Sequence, residues 1–184
     1  MTFDLRKGCF YKAVVIIASL LCVAYNSYAQ QKLPVKEQNE AFVDSVENIF
    51  PKPLGLVNDY SNVLTDDQVS FLSDLLENYK KDSSRHVVLV TIDSMEPYQD
   101  IVNYGTDLGN FWGVGTKEKN NGILIVFCKP CSQVGIATGK GTELVLTNQI
   151  CQEVVNKDML PKFKNNLYYD GLLSGVESLL KQWK

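Results

Sequence analysis

Five consecutive apolar residues, Ile123-Leu124-Ile125-Val126-Phe127, constrain what this chain can fold into more than any other stretch. A strand with no polar face must be covered on both sides, so 123–127 is predicted to be the central strand of a layered fold. Pro130 lies in a short polar turn, and Val134-Gly135-Ile136-Ala137-Thr138 then reads as an antiparallel return, a hairpin whose loop has roughly three to five residues. The polar ends of that hairpin, Asn120-Asn121-Gly122 and Gly139-Lys140-Gly141-Thr142-Glu143, are expected to meet at one edge of the sheet.

Val87 to Ile92 is a second run, apolar except for Thr91, and reads as a buried neighbour of the central strand. Between the two runs, Ile101, Tyr104, Leu108, Phe111 and Trp112 recur at helical spacing, with Pro97 as the expected start and Gly113 and Gly115 as the stop. A helix between two buried strands implies a parallel, right-handed crossover with helices on both faces. Upstream, Thr65-Asp66-Asp67-Gln68 has the form of a capping box opening an amphipathic helix through Val69, Leu72, Leu75, Leu76 and Tyr79. Downstream, Thr147 caps a helix carrying Ile150, Cys151, Val154 and Val155 that Pro161 should break, and a last helix spans about Leu167 to Trp183. Phe111-Trp112 and Tyr168-Tyr169 have core spacing, and His86 is read as structural at a strand start. The fold class is therefore α/β: a single-domain α/β/α sandwich with a mixed central sheet over residues 54–184.

Residues 1–29 have a different character. Arg6, Lys7 and Lys12 precede an apolar run from Ala13 to Ala24, and Ser27-Tyr28-Ala29 supplies small residues where a signal peptidase cuts. That is the pattern of a secretory signal peptide; the apolar run is too short for a comfortable membrane span, and no second one occurs. The mature chain is expected to be exported, periplasmic or extracellular, with 30–53 as a polar linker that carries a short helix over 41–49 and closes on Pro51-Lys52-Pro53. Removing Arg6, Lys7, Lys12 and Asp4 from 18 Lys+Arg and 21 Asp+Glu leaves 15 against 20, a net charge of −5. Such a balance argues against nucleic acid as a partner. Arg85 and His86 become the sole arginine and histidine, which excludes a cysteine phosphatase with its arginine five residues on and a zinc site built on histidines.

Cys128, Cys131 and Cys151 remain after cleavage. In an oxidising compartment Cys128-Lys129-Pro130-Cys131 is the expected disulfide, a staple across the hairpin turn rather than a redox centre, since a redox pair opens a helix. Cys151 on its apolar helix face is expected buried and free. Gly139-Lys140-Gly141-Thr142 is not a phosphate loop, because position 134 is Val and position 141, directly after the lysine, is Gly. Nor is it a dinucleotide fingerprint, which needs a third glycine three residues on. The glycines read as turning a strand into a loop.

Leu56-Val57-Asn58-Asp59-Tyr60-Ser61-Asn62-Val63-Leu64-Thr65, Phe111-Trp112-Gly113-Val114-Gly115, Asn120-Asn121-Gly122-Ile123-Leu124, Gly139-Lys140-Gly141-Thr142-Glu143 and the closing Pro161-x-Phe163 with Tyr168-x-x-Gly171-Leu172 stand in an order that resembles the TPM-domain family. The resemblance covers nearly all of 54–183. It implies an exported or lumenal α/β/α domain similar to thylakoid-lumen acid phosphatases and photosystem II repair proteins, some of which bind calcium. By that resemblance Asp59, Asn121 and Glu143 are the candidate metal ligands, for calcium ahead of magnesium. Asn148 stands in Leu146-Thr147-Asn148 where the family often carries aspartate, so one charge is missing. The function implied is a calcium-binding module supporting assembly or maintenance of envelope or membrane protein complexes. The alternative is a weak metal-dependent acid phosphatase acting on phosphomonoesters.

Overall fold

The computed structural model describes residues 49–184; the expected signal segment, most of the expected linker and all but the last residue of the helix expected over 41–49 lie outside the described residues. The unit Lys52–Lys184 is built on a four-stranded sheet in the order β1-β2-β3-β4. Its strands are β1 (Val57–Asp59), β2 (His86–Ile92), β3 (Gly122–Cys128) and β4 (Gln133–Thr138). The first three are parallel and β4 returns antiparallel, so the sheet is mixed as predicted. Every residue of β3 is buried, which is the two-sided cover that its unbroken apolar run requires. β1 is an addition to the predicted elements: only Val57 in it is apolar, and it is held by its backbone ladder to β2 and by Asn58. The buried Asn58 Oδ1 accepts from the Leu54 and Gly55 amides at 2.6 and 3.2 Å, and its Nδ2 donates to the Gly55 carbonyl at 3.0 Å.

Helix α1 (Asp66–Ser83) opens on the expected capping box: the Gln68 amide donates to Thr65 Oγ1 and the Thr65 amide to Gln68 Oε1. Its Leu72 and Leu76 join Val57, Leu89, Ile125 and Ile136 on one face of the sheet. Helix α2 (Ile101–Trp112) lies on the other face, where Gly105 sits close to Val126 and Ala137. It begins four residues later than Pro97, which occupies a turn closed by the Tyr98 amide donating to the Met95 carbonyl; Asp100 is the cap, accepting from the Asn103 amide at 2.8 Å. Phe111, expected in the core, is 42% exposed.

The parallel crossovers carry a topological consequence. Both β1-α1-β2 and β2-α2-β3 step the same way across the sheet, yet α1 and α2 lie on opposite faces, so one of the two must have the left-handed sense. Helices on both faces thus coexist with a departure from the strong right-handed preference.

Beyond β4, α3 (Asn148–Val154) runs without a break through a π-type turn (Val155–Met159) into α4 (Leu160–Phe163). Pro161 was expected to end this helix and does not. The Leu160 amide reaches back five residues to the Val155 carbonyl, and the widened turn spares the carbonyl a proline ring would otherwise strike. Helix α5 (Tyr168–Gln182) closes the α1 face, with Leu172, Val176 and Leu179 fully buried.

Candidate functional site

Parallel strands give the sheet two chemically different ends, and the three sequence-predicted ligands divide between them. Asp59 closes β1 at the carboxyl end. Its Oδ1 accepts from the Val63 amide at 3.1 Å and its Oδ2 from the Leu64 amide at 2.8 Å, while the Thr91 hydroxyl donates to Oδ1. The carboxylate is therefore the keystone of the loop that leads into α1. Beside it, the Ser61 amide donates to Thr91 Oγ1 at 3.3 Å, and the Ser61 hydroxyl is buried with no partner among the described residues.

Asn121 lies at the amino end, one residue before β3. Its Oδ1 accepts from the Thr116 amide and hydroxyl at 3.0 and 3.2 Å, and its Nδ2 donates to the Ser84 carbonyl at 2.7 Å. Glu143 is exposed in the loop that packs here: the Gly139 amide donates to the Gly122 carbonyl at 2.9 Å, the Gly141 amide to the Asn120 carbonyl at 3.1 Å, and the Thr142 hydroxyl to the Gly122 carbonyl at 3.1 Å. The two polar ends of the hairpin thus meet as expected.

Asp59 does not join them. It pairs in register with Thr91, and Thr91 with Phe127. Asn121 lies six residues before Phe127 along an extended strand, about 20 Å away. A calcium ion reaches its oxygens at about 2.3–2.6 Å, so the three residues do not fit one ion. Among the described residues no three His, Cys, Asp or Glu side chains form a group that could hold a metal. Arg85 and His86 are also at the amino end. The Arg85 guanidinium donates to the Trp183 and Lys184 carbonyls and stacks over the Trp183 ring at 5.1 Å. His86 is held below the ordinary imidazole range by burial and by Lys80, against a smaller upward pull from Glu77.

The carboxyl end carries clefts that the residue pattern did not single out. Phe127, Phe163 and Tyr168 form an aromatic wall with ring centroids 4.6 and 5.5 Å from Phe127. Lys129 Nζ stands 4.7 Å from the Tyr168 ring, and Lys164 flanks the same opening of about 320 Å³. On the other side of Tyr168 a second opening of about 370 Å³ is bounded by Thr65, Gln68, Asn166 and Asp170. Tyr168 packs against the core, as its spacing predicts, and also lines both clefts. The available signal was the run of Lys129, Lys162 and Lys164 beside aromatics in a chain that is otherwise acidic.

Cys128 and Cys131 are bonded across the hairpin turn, with Cα atoms 5.2 Å apart and the Cys131 amide donating to Cys128 Sγ at 3.3 Å. Cys151 is free and 5% exposed, and burial pushes its thiol up to about 11, with the Glu143 carboxylate adding to the rise. Alkylation of the oxidised protein at pH 8 should therefore modify no thiol in the native state and one after unfolding, read by intact mass. Rapid native modification would mean that the α3 face opens.

Comparison with known proteins bears on the whole unit. The TPM domain model matches residues 57–182. No curated protein sequence matches the chain. The solution structure of the N-terminal domain of a protein from P. gingivalis is similar, with 26% identity and a TM-score of 0.64 over 69% of this chain and 80% of that one. The N-terminal domain of the cg2496 protein from Corynebacterium glutamicum shares the fold at 14% identity, with a TM-score of 0.56 over 73% of this chain and 84% of that one. The family match starts at the first residue of β1 and ends at the last residue of α5, taking in both ends of the sheet: the chain belongs to the TPM domain family.

Proposed function

We propose that the protein is an exported binding module that supports assembly or maintenance of envelope proteins, with its recognition surface at the carboxyl end of the sheet. The observation that carries this reading is the contrast between the two kinds of group found there. The one carboxylate of the phosphatase reading at that end, Asp59, already accepts three hydrogen bonds from its own loop and Thr91, whereas Lys129, Lys164 and the faces of Phe163 and Tyr168 line open clefts. Hydrolysis of a phosphomonoester draws its acceleration from converging charges on the transferring group. Asp59, Asn121 and Glu143 do not converge, while aromatic and basic groups around a cleft are the composition of a recognition surface. Because the three residues do not fit one ion, no step of this reading passes through calcium or magnesium.

Two measurements test it. Phosphomonoester turnover with calcium or magnesium is expected to be indistinguishable between the wild type and the Asp59→Asn and Glu143→Gln variants; turnover that persists through purification and disappears in both would replace the module with an enzyme. A calcium titration followed by backbone amide shifts should give no single isotherm shared by the Asp59 and Asn121 loops. One isotherm at both ends, abolished in Asp59→Asn, would restore the three-ligand site. Export is checked separately, since N-terminal sequencing of the protein made by its own host should begin at Gln30, and an intact Met1 would remove the envelope from the proposal.

A further inference from the structure

β4 is the last strand of the sheet, and its outer edge is unpaired among the described residues. The hydrogen-bonding phase follows from one bond: the Gly139 amide donates to the Gly122 carbonyl across β3. In an antiparallel pair that phase alternates, so Ala137 and Gly135 also turn their backbones toward β3, and Val134, Ile136 and Thr138 turn theirs outward. No backbone bond reaches these three from outside among the described residues. The edge is not flat against solvent. Its Val134, Gly135 and Ile136 form the floor of a groove of about 140 Å³, walled by Val102 of α2 on one side and by Asn148, Gln152 and Val155 on the other.

At the hairpin end this groove continues into the aromatic cleft, because Val134 lines both. There the chemistry changes from backbone donors and acceptors to two cations, Lys129 and Lys164, beside the rings of Phe127, Phe163 and Tyr168. Two lysines at one mouth, in a chain whose expected mature charge is −5, mark a place for a carboxylate.

We propose that this edge binds the carboxyl-terminal segment of another protein. The segment adds to β4 as an antiparallel fifth strand, its last side chain, apolar or aromatic, enters the Phe127-Phe163-Tyr168 cleft, and its terminal carboxylate lies between Lys129 and Lys164. The direction is set by the groove, since a chain entering beside Thr138 and ending beside Val134 runs against β4 and carries its last side chain on the face that Val134 shares with Phe127. Affinity comes from the main-chain ladder, and selection for a chain end comes from the lysine pair. The inference rests on the binding-module reading and names the ligand of that module.

The probe is a synthetic peptide, acetyl-Thr-Val-Thr-Val-Thr-Phe with a free carboxylate, titrated into isotope-labelled mature chain. Amide shifts are expected at Lys129, Val134, Ile136, Thr138 and Lys164. The same peptide as a carboxamide, or with its valines N-methylated so that it cannot pair with an edge, should bind about tenfold or more weakly. The double substitution Lys129→Gln with Lys164→Gln should weaken the acid about tenfold and leave the carboxamide unchanged, which separates loss of a cation from loss of fold. Absence of binding near 1 mM, or equal binding by acid and carboxamide, overturns the proposal. So does a concentration-dependent dimer whose β4 amides are protected from exchange, which assigns the edge to a second copy. Binding that appears only after residues 30–48 are deleted overturns it as well, in favour of the chain's own segment. Failure of the peptide without phosphatase turnover removes this ligand alone; Asp59-dependent turnover removes the module reading.

Discussion

Replacing Gly141 with alanine is expected to destabilise the domain by about 3 kcal/mol, the upper end of the usual overpacking range, and to lower its urea midpoint by about 1–2 M. A methyl group on Gly141 would overlap the Lys119 carbonyl oxygen, and one on Gly139 would overlap the Asn120 carbonyl oxygen. Both obstacles are backbone, so no side chain can rotate away to make room. The strain also opposes the amide bonds from Gly139 to the Gly122 carbonyl and from Gly141 to the Asn120 carbonyl. Neither glycine has positive φ, so the requirement is close approach of two chain segments rather than an unusual backbone conformation. Gly55, where a methyl group would meet nothing within 4 Å, is the control and should change stability by less than about 0.5 kcal/mol. Gly141→Ala within that same margin would mean that the 139–143 loop does not press against Lys119 and Asn120.

Asp59→Ala should cost about 2–3 kcal/mol, a fall in melting temperature on the order of 10 °C for a unit of this size. The substitution strands the Val63 and Leu64 amides and the Thr91 hydroxyl, all three of which now donate to one carboxylate. Asp59→Asn keeps one acceptor oxygen and should cost about half as much. The ordering matters for function as well as stability. An alanine variant that loses activity has lost its loop, so only the asparagine variant reports on chemistry at this residue. Equal stability of Asp59→Ala and wild type, by calorimetry, would show that the carboxylate is free for other work.

The two apolar runs made β2 and β3 readable from residue order alone, because burial on both faces leaves no polar position to disguise them. The capping box did the same for the start of α1, where the donors and acceptors are three residues apart and need no tertiary contact. β1 was hidden for the opposite reason: Val57-Asn58-Asp59 owes its conformation to the ladder with β2 and to the Asn58 side chain, interactions across about 30 residues. That omission also hid the division of the site. With β1 parallel to β3, a residue that ends the one and a residue that precedes the other must lie at opposite ends of the sheet, so the separation of Asp59 from Asn121 follows from topology once both strands are known. Pro161 misled in a different way, since a proline's clash with an α-helix does not extend to a turn widened by one residue. The carboxyl-end clefts were not readable because Phe163-Lys164 at the end of α4 and Tyr168 at the start of α5 meet Phe127 and Lys129 at the end of β3 only through the packing of the core.

The unequal edges of the sheet limit what strand addition can build. β4 offers three outward residues, two of them in a walled groove, while β1 at the far side is only three residues long. Growth of an open filament requires an acceptor edge and a donor edge of comparable capacity on every subunit. This domain has one long edge and one stub, so pairing at β4 terminates: it closes a one-to-one complex or a two-fold dimer and leaves no further template. A protein with such edges can hold an extended partner strand at high local concentration without nucleating a fibre.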